Sequence, residues 1–501
     1  MSVAPRTLAL SLIAHTNAGK TTLARTLLSR DVGEVRDAAH VTIEAAAYPM
    51  VDSDEGDHLV LWDTPGFGDS ARLARRLAQH GNPIGWFLSE VWDRFRDRPL
   101  WLAQKAVANV RDHADVVLYL VNAAENPSDA GYVAPEQQVL AWIGKPVIVL
   151  LNQTGPPRPH VDEAAEEAQW RSMLAVHAHV KTVLTLDAFA RCWPQETVLM
   201  QAVVAALEGP SRDAAERLAA AWIARRAAQF GASMAALARP IAAAAHERRV
   251  VGAAGWRDTL RHLGRTVGIG SAATDAVTTA AMQSLAETLD ADVRASTDAL
   301  IAIHELDGRA AAQVTAQLAN SVTTEAPASE GKAALVGGVL SGALAGLAAD
   351  LASGGLTLGA GMIAGGVVGA LGGAGLARGY NVARGTTGTT VRWSEPFLDQ
   401  VVAGALLRYL AVAHHGRGRG AWTDAAVPAF WREAVARALA ARRPTWHGAW
   451  RVRDGAPADL ERAVCEALRI TGADVLAALY PDASEAVISA SARASAPPNR
   501  S

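Results

Sequence analysis

The sequence predicts an α/β domain with a mostly parallel sheet and helices on both faces, followed by an all-α region that contains a Gly-rich helical hairpin. Three observations carry this. Residues 8–13 form a short apolar run that leads through a small-residue loop into Gly19-Lys20-Thr21-Thr22 and a segment with leucines at helical spacing. Residues 116–121 and 146–151 are continuous apolar runs of strand length, as in parallel strands buried on both faces. Beyond Gly209-Pro210 the composition turns rich in Ala and Arg with helical periodicity.

The 501 residues, 50% of them hydrophobic, suffice for two or three domains with sizeable cores. A formal charge of −3 creates no global field that would recruit nucleic acid or anionic lipid, so nucleic acid is not indicated as a partner. The two cysteines, Cys192 and Cys465, exclude a multi-bridge disulfide framework and a four-thiolate metal site, and suit a reducing cytoplasm. Arg6 before an apolar run faintly echoes a signal peptide, but the run is short and lacks a small-residue cleavage pattern.

The loop after the first strand is Ala14-His15-Thr16-Asn17-Ala18-Gly19-Lys20-Thr21-Thr22. Strand, small-residue loop, Gly-Lys-Thr and helix is the layout of a phosphate-binding P-loop. Loop amides and the helix N-terminus point at anionic phosphates, Lys20 reaches the β and γ oxygens, and Thr21 ligates a magnesium ion. Ala14 stands where the usual pattern has its first glycine, which puts a Cβ where the loop first turns. The chain has only five lysines, and one falls between Gly19 and Thr21, so a chance match is correspondingly rare.

After the first helix, 31–39 read as a polar loop, and 40–45 carry Thr42, which lies 22 positions after Lys20. That distance suits a switch threonine that closes over the γ-phosphate and magnesium, and equally an ordinary strand residue. The apolar run 59–62 then delivers Asp63-Thr64-Pro65-Gly66. Ligands of open parallel sheets sit outside the carboxyl ends of the strands, so Asp63 belongs beside the P-loop, where it holds magnesium through water. Gly66 brings an amide to the γ-phosphate with no side chain in the way.

On these motifs, residues 1–208 resemble the Era and TrmE-like branch of the translation-factor-related GTPases, whose P-loop carries Asn at the position of Asn17 and whose second switch begins Asp-Thr-Pro-Gly. The resemblance implies GTP and GDP as ligands, with magnesium at Thr21, Thr42 and Asp63. It implies catalytic roles for Lys20, Asn17 and Thr42, with Asn17 coordinating a potassium ion in place of an arginine finger, as in some members. Phe67 follows Gly66 where a Ras-like enzyme carries its water-orienting glutamine. Phe cannot position water by hydrogen bonding, so slow basal turnover is expected.

The segment 67–112 is longer than a minimal second switch and contains Trp86, Phe87, Trp92, Phe95 and Trp101, read as aromatic packing of an extra helix or as a partner surface. Between the strands at 116–121 and 146–151, residues 135–142 read as the helix of a βαβ unit. The second of these strands ends in Asn152-Gln153-Thr154-Gly155. The family pattern here is Asn-Lys-x-Asp, whose aspartate accepts hydrogen bonds from guanine. Asn152 matches, Gln153 replaces the lysine and Gly155 the aspartate, a loss that lowers guanine discrimination. The next strand, 182–186, leads to Asp187, which either stands in for the missing carboxylate or caps the following helix. The nucleotide-binding set is thus Asn17, Ala18, Gly19, Lys20, Thr21, Thr22, Gly66, Asn152, Gln153 and Asp187. The combined Asn-Gln-Thr-Gly and Asp-Ala-Phe-x-Arg-Cys-Trp motifs are similar to a narrower bacterial family, in which an Era-like GTPase domain is fused to a C-terminal domain of unknown function.

The expected domains are 1–208 for the GTPase-like part, 209–330 helical, 331–380 the Gly-rich apolar hairpin, 381–488 helical and 489–501 a disordered tail. Pro240 is expected to interrupt the helix over 211–250, and further helices are expected at 256–263, 273–288 and 292–306, with a linker at 327–332. In 333–377 only Asp350 is charged, and 14 of the 43 glycines fall there, two series of them at a spacing of four. On helices that spacing lets backbones approach closely, either in a bilayer or in a buried soluble hairpin. His414-His415 lacks a nearby carboxylate or cysteine set for a metal, and the stretch reads as a helix end followed by a basic loop. Trp431, Trp446 and Trp450 read as core anchors.

The leading functional expectation is a cytoplasmic GTP-binding switch that hydrolyses slowly and acts on an unidentified protein partner through its C-terminal helices. The alternatives are a membrane-associated remodelling protein at the inner membrane, contacting it through 333–377, and an ATPase with relaxed base specificity.

Overall fold

The computed structural model describes residues 4–15, 18–30, 32, 46–64, 66–67, 69–79, 98–251, 271–306, 380–385, 388–416 and 427–493. The chain divides into two compact units. The first comprises Met1–Ala228, Ala413–Ala421 and Leu479–Ala490, and the second comprises Gln229–Val412, Trp422–Ala478 and Ser491–Ser501.

The first unit is built on a six-stranded sheet of β1 (Thr7–Ala14), β2 (Ala46–Asp52), β3 (His58–Asp63), β4 (Val116–Asn122), β5 (Val147–Asn152) and β6 (Val180–Thr185). Its order is β2-β3-β1-β4-β5-β6; β2 runs antiparallel to β3 and every other pair is parallel. The interior strands are mostly apolar because each face meets its own helical layer. Leu8, Leu10 and Leu12 with Leu118 and Leu120 share one core with Leu23 and Leu27 of α1 (Lys20–Leu28) and Leu199 and Val203 of α6 (Trp193–Ala206). Ile13, Val117, Tyr119 and Val121 share the other with Leu73 of α2 (Ser70–Gln79), Val107 of α3 (Arg98–His113), Leu140 of α4 (Val133–Ile143) and Trp170 of α5 (His160–Leu174). Strand β2 has no counterpart in the sequence reading because Pro49 lies within it. The structure accommodates that proline at the sheet edge, where the register shifts between Pro49 and Val51.

The first unit does not stop at residue 208. Helix α7 (Gly209–His246) places Ala214, Leu218 and Trp222 in the same core as Leu8 and Leu10, so its first half belongs to the GTPase-like unit. Arg217 also reaches Asp57, with Nε donating to Oδ2 at 2.6 Å and Nη2 to Oδ1 at 3.1 Å. Helical periodicity locates such a helix but not the surface that it covers. Pro240 lies inside α7 and does not end it. Its neighbours Leu237, Ala238, Ile241 and Ala242 are buried, and that packing offsets the lost backbone hydrogen bond.

The second unit is helical, with a small antiparallel sheet in the order β7 (Arg249–Val251), β9 (Gly388–Trp393), β8 (Tyr380–Gly385). The two helices expected over 273–306 are one, α8 (Ser271–Ile303). Arg408 of α9 (Glu395–Ala413) is buried and donates to Val293 O at 2.9 Å and Thr297 Oγ1 at 2.9 Å in α8. Trp431 in α10 (Ala429–Ala441) and Trp446 and Trp450 in α11 (Arg443–Arg451) are buried, and the Trp446 indole donates to Thr471 of α12 (Pro457–Leu479) at 3.1 Å. The final helix, α13 (Ser484–Arg493), runs past the expected start of the tail at 489, because Val487 and Ala490 are buried. Among the described residues, α9 is the one helix long and apolar enough to cross a membrane, and most of it is buried in the protein. The expected helix at 256–263, the linker at 327–332 and the hairpin at 333–377 lie outside the described residues.

Candidate functional site

Strand β1 delivers the P-loop at its carboxyl end, and Gly19 closes the loop in the left-handed region at φ 86° as the N-cap of α1. Any side chain there is strained by the left-handed backbone and would displace Asn152, since a Cβ would stand 2.6 Å from Asn152 Nδ2. Lys20 follows and is buried. Burial pushes its ammonium pKa down, against the opposing pull of the carboxylates of Asp63 and Glu136. Ala18 and Thr22 are buried on either side.

Strand β3 ends at Asp63, beside the start of α1, where Thr21 Oγ1 donates to Asp63 Oδ2 at 2.6 Å. Burial raises the Asp63 pKa, while the Thr21 hydrogen bond and the charges of Lys20 and Arg25 oppose it. The second carboxylate oxygen, Oδ1, is buried with no hydrogen-bond partner among the described residues. A buried acceptor left unspent beside a threonine hydroxyl and a lysine fits a divalent cation, so Thr21 and Asp63 are the residues that would hold magnesium. Among the described residues no group of three or more His, Cys, Asp or Glu offers a metal site of another kind. Gly66 is buried. The Phe67 amide donates to Ala14 O at 3.2 Å, and the Phe67 ring lies fully buried beside Ile13 and Leu73. Asn17 and Thr42, and with them the potassium and switch-threonine expectations, lie outside the described residues.

The loops after β5 and β6 meet the P-loop through Asn152. Its Nδ2 donates to Ala18 O at 2.8 Å, and its Oδ1 accepts from Ala188 N at 2.8 Å. Gln153 takes the left-handed conformation at φ 63°, and Gly155 does so at φ 84°. Asp187 does not cap α6, which begins at Trp193 with Cys192 as N-cap and Gln195 bonding back to the Cys192 amide. Instead its Oδ2 accepts from Thr154 N at 2.7 Å and Thr154 Oγ1 at 3.1 Å, and its Oδ1 accepts from Phe189 N at 2.6 Å and Ala190 N at 3.2 Å. Burial raises its pKa against those same hydrogen bonds.

Two features escaped sequence reasoning. Glu136 of α4, fully buried, receives Tyr119 Oη at 2.7 Å and lies 2.9 Å from His15 Nδ1 of the P-loop, whose ring stacks on Tyr132 at 4.5 Å. This clamp steadies the loop whose first glycine is missing. Second, residues 414–416 pair with the loop after β6: Gly416 N donates to Phe189 O at 2.8 Å, Arg191 N donates to His414 O at 3.2 Å, and Ala190 and His415 form an antiparallel bridge.

Residues 10–153 match the family model described as 50S ribosome-binding GTPase, and residues 171–459 match the one described as a domain of unknown function, DUF3482. No curated protein matches the chain. Among solved structures, the chain is similar to an Aquifex aeolicus Era variant bound to GDP and AlF4−, at 19% identity over 45% of this chain and 67% of that one, with a TM-score of 0.29. It is also similar to Era in complex with MgGDPNP and a segment of 16S ribosomal RNA, at 18% identity over 45% and 68%, with a TM-score of 0.30. A third is an S. thermophilus NFeoB variant bound to GMPPNP, at 17% identity over 42% and 61%, with a TM-score of 0.23. The DUF3482 match alone spans more than half of the chain. The chain therefore belongs to the DUF3482 family and carries a GTP-binding P-loop GTPase domain at its N-terminus.

Proposed function

We propose that the chain is a slowly hydrolysing GTP switch of the Era and TrmE-like type whose nucleotide state is passed to its C-terminal helices. The observation that carries the coupling is the backbone pairing of Phe189–Arg191 with His414–Gly416. It ties the last loop of the nucleotide site to the chain directly after α9. In this reading Lys20 holds the β and γ phosphate oxygens, and Thr21 and Asp63 hold magnesium, which supplies charge neutralisation at the transferring phosphoryl group when bound. The Gly66 amide meets the γ-phosphate. The burial of the Phe67 ring supports slow turnover, since the residue after Gly66 offers no hydrogen bond to an attacking water.

Titration of the purified chain with GTP and GDP in magnesium tests the reading. Lys20→Ala should weaken GTP binding by roughly a hundredfold, about the 3 kcal/mol of a hydrogen bond to a charged group. Unchanged GTP affinity in that variant overturns the assignment of the P-loop as the phosphate site.

A further inference from the structure

We infer that base selection at this site is weak, with guanine and adenine triphosphates bound comparably, and that Gly155 is the position that sets it. The inference rests on the proposed nucleotide site and names the bases that it accepts. Asn152 joins the loops after β5 and β6 to the P-loop, so these two loops stand where the nucleoside end of a P-loop-bound nucleotide lies. Guanine turns an N–H and an amino group toward its recognition site, and only a fixed pair of acceptors, in practice a carboxylate, rewards those donors and rejects adenine.

Residues 152–159 hold no Asp or Glu, and residues 186–192 hold only Asp187. Asp187 is spent. Each of its oxygens already accepts two hydrogen bonds, from Thr154 on one side and from Phe189 and Ala190 on the other, and the group is buried at 2% exposure. Turning it toward a base would cost those bonds and open both loops. Asp187 is therefore a positioning residue that shapes the loops, not a reader of the base. Beyond that loop, the first turn of α5 carries Asp162, which faces solvent, and Glu163, which burial and neighbouring carboxylates push up to about 7. Half protonated at neutral pH, such a group donates as readily as it accepts and favours neither base. Gly155 completes the case, for a Cβ placed on it meets nothing within 4 Å. There is room for a carboxylate, and none is supplied.

The test compares binding of GMPPNP and AMPPNP to the full chain in magnesium by calorimetry, for wild type, Gly155→Asp and Gly155→Asn. Asp and Asn are the side chains that best tolerate the left-handed backbone at this position, and the Asn variant reproduces any strain without the charge. In wild type the two affinities should lie within about tenfold, and Gly155→Asp should raise the preference for guanine by at least about tenfold over both wild type and Gly155→Asn. A wild-type preference for guanine beyond about tenfold overturns the inference and leaves the switch reading intact. So does a folded Gly155→Asp chain that binds both analogues with unchanged selectivity. Binding of neither analogue by wild type instead removes the nucleotide-site reading, and the inference with it.

Discussion

At the scale of single residues, two carboxyl groups of the first unit respond to pH in opposite directions. Glu163 has its pKa raised to about 7 from 4.5 by burial, so the folded chain holds this proton more tightly than the unfolded one. Its contribution is favourable in acid and is lost as pH rises from about 4.5 through 7. Asp57 is held down at about 2 from 3.8 by the Arg217 hydrogen bond, and its stabilisation is present above about 4 and lost as pH falls through 2. Glu163→Gln should therefore raise the urea midpoint at pH 8 by the equivalent of about 1–2 kcal/mol and leave it nearly unchanged at about pH 4; an equal effect at both pH values contradicts the assignment. The placement of residues was legible in the sequence where chemistry and spacing coincide, as for Gly19, Lys20, Thr21 and Asp63, which the structure brings together. The Glu136 clamp on His15 was not, because its partners are 121 positions apart and Glu136 belongs to no motif. Asp187 could be read as base contact or cap, and its actual partners Thr154 and Phe189 follow from the fold alone.

Among the elements, α7 changes the domain account most. Trp222, at 2% exposure, packs against the sheet, and its indole donates to buried Glu196 at 3.1 Å, which Arg226 also reaches at 2.7 Å. Trp222→Ala should cost the first unit about 4 kcal/mol, read from urea unfolding, through a cavity and one lost donor to a buried carboxylate. Arg212→Ala, which breaks an exposed pair with Glu216 on the same helix, should cost under about 0.5 kcal/mol. Comparable losses in both variants would argue against a docked helix. The parallel strands were readable as apolar runs because both faces of the sheet are covered, whereas β2 hid behind Pro49, tolerated only because that strand is an edge.

At the scale of the whole molecule, Gly416 is the pivot of the proposed coupling. A Cβ there would lie 2.1 Å from Ala188 O and 2.7 Å from Phe189 C, so Gly416→Ala must displace either the 414–416 segment or the loop after β6. Release of a fluorescent GDP should quicken by roughly tenfold in that variant, since such changes act mainly on dissociation, and an unaltered release rate counts against the coupling. Local pattern marked 414–416 only as a helix end, because pairing with residues 189–191 is a property of chain topology. The first unit is discontinuous, drawing on Met1–Ala228, Ala413–Ala421 and Leu479–Ala490. A ribosome can therefore release the whole P-loop and sheet long before the segment that pairs with residues 189–191 exists. Until the last of the three segments emerges, the nascent unit must wait with part of its surface uncovered, and its final folding step follows the synthesis of Ala490.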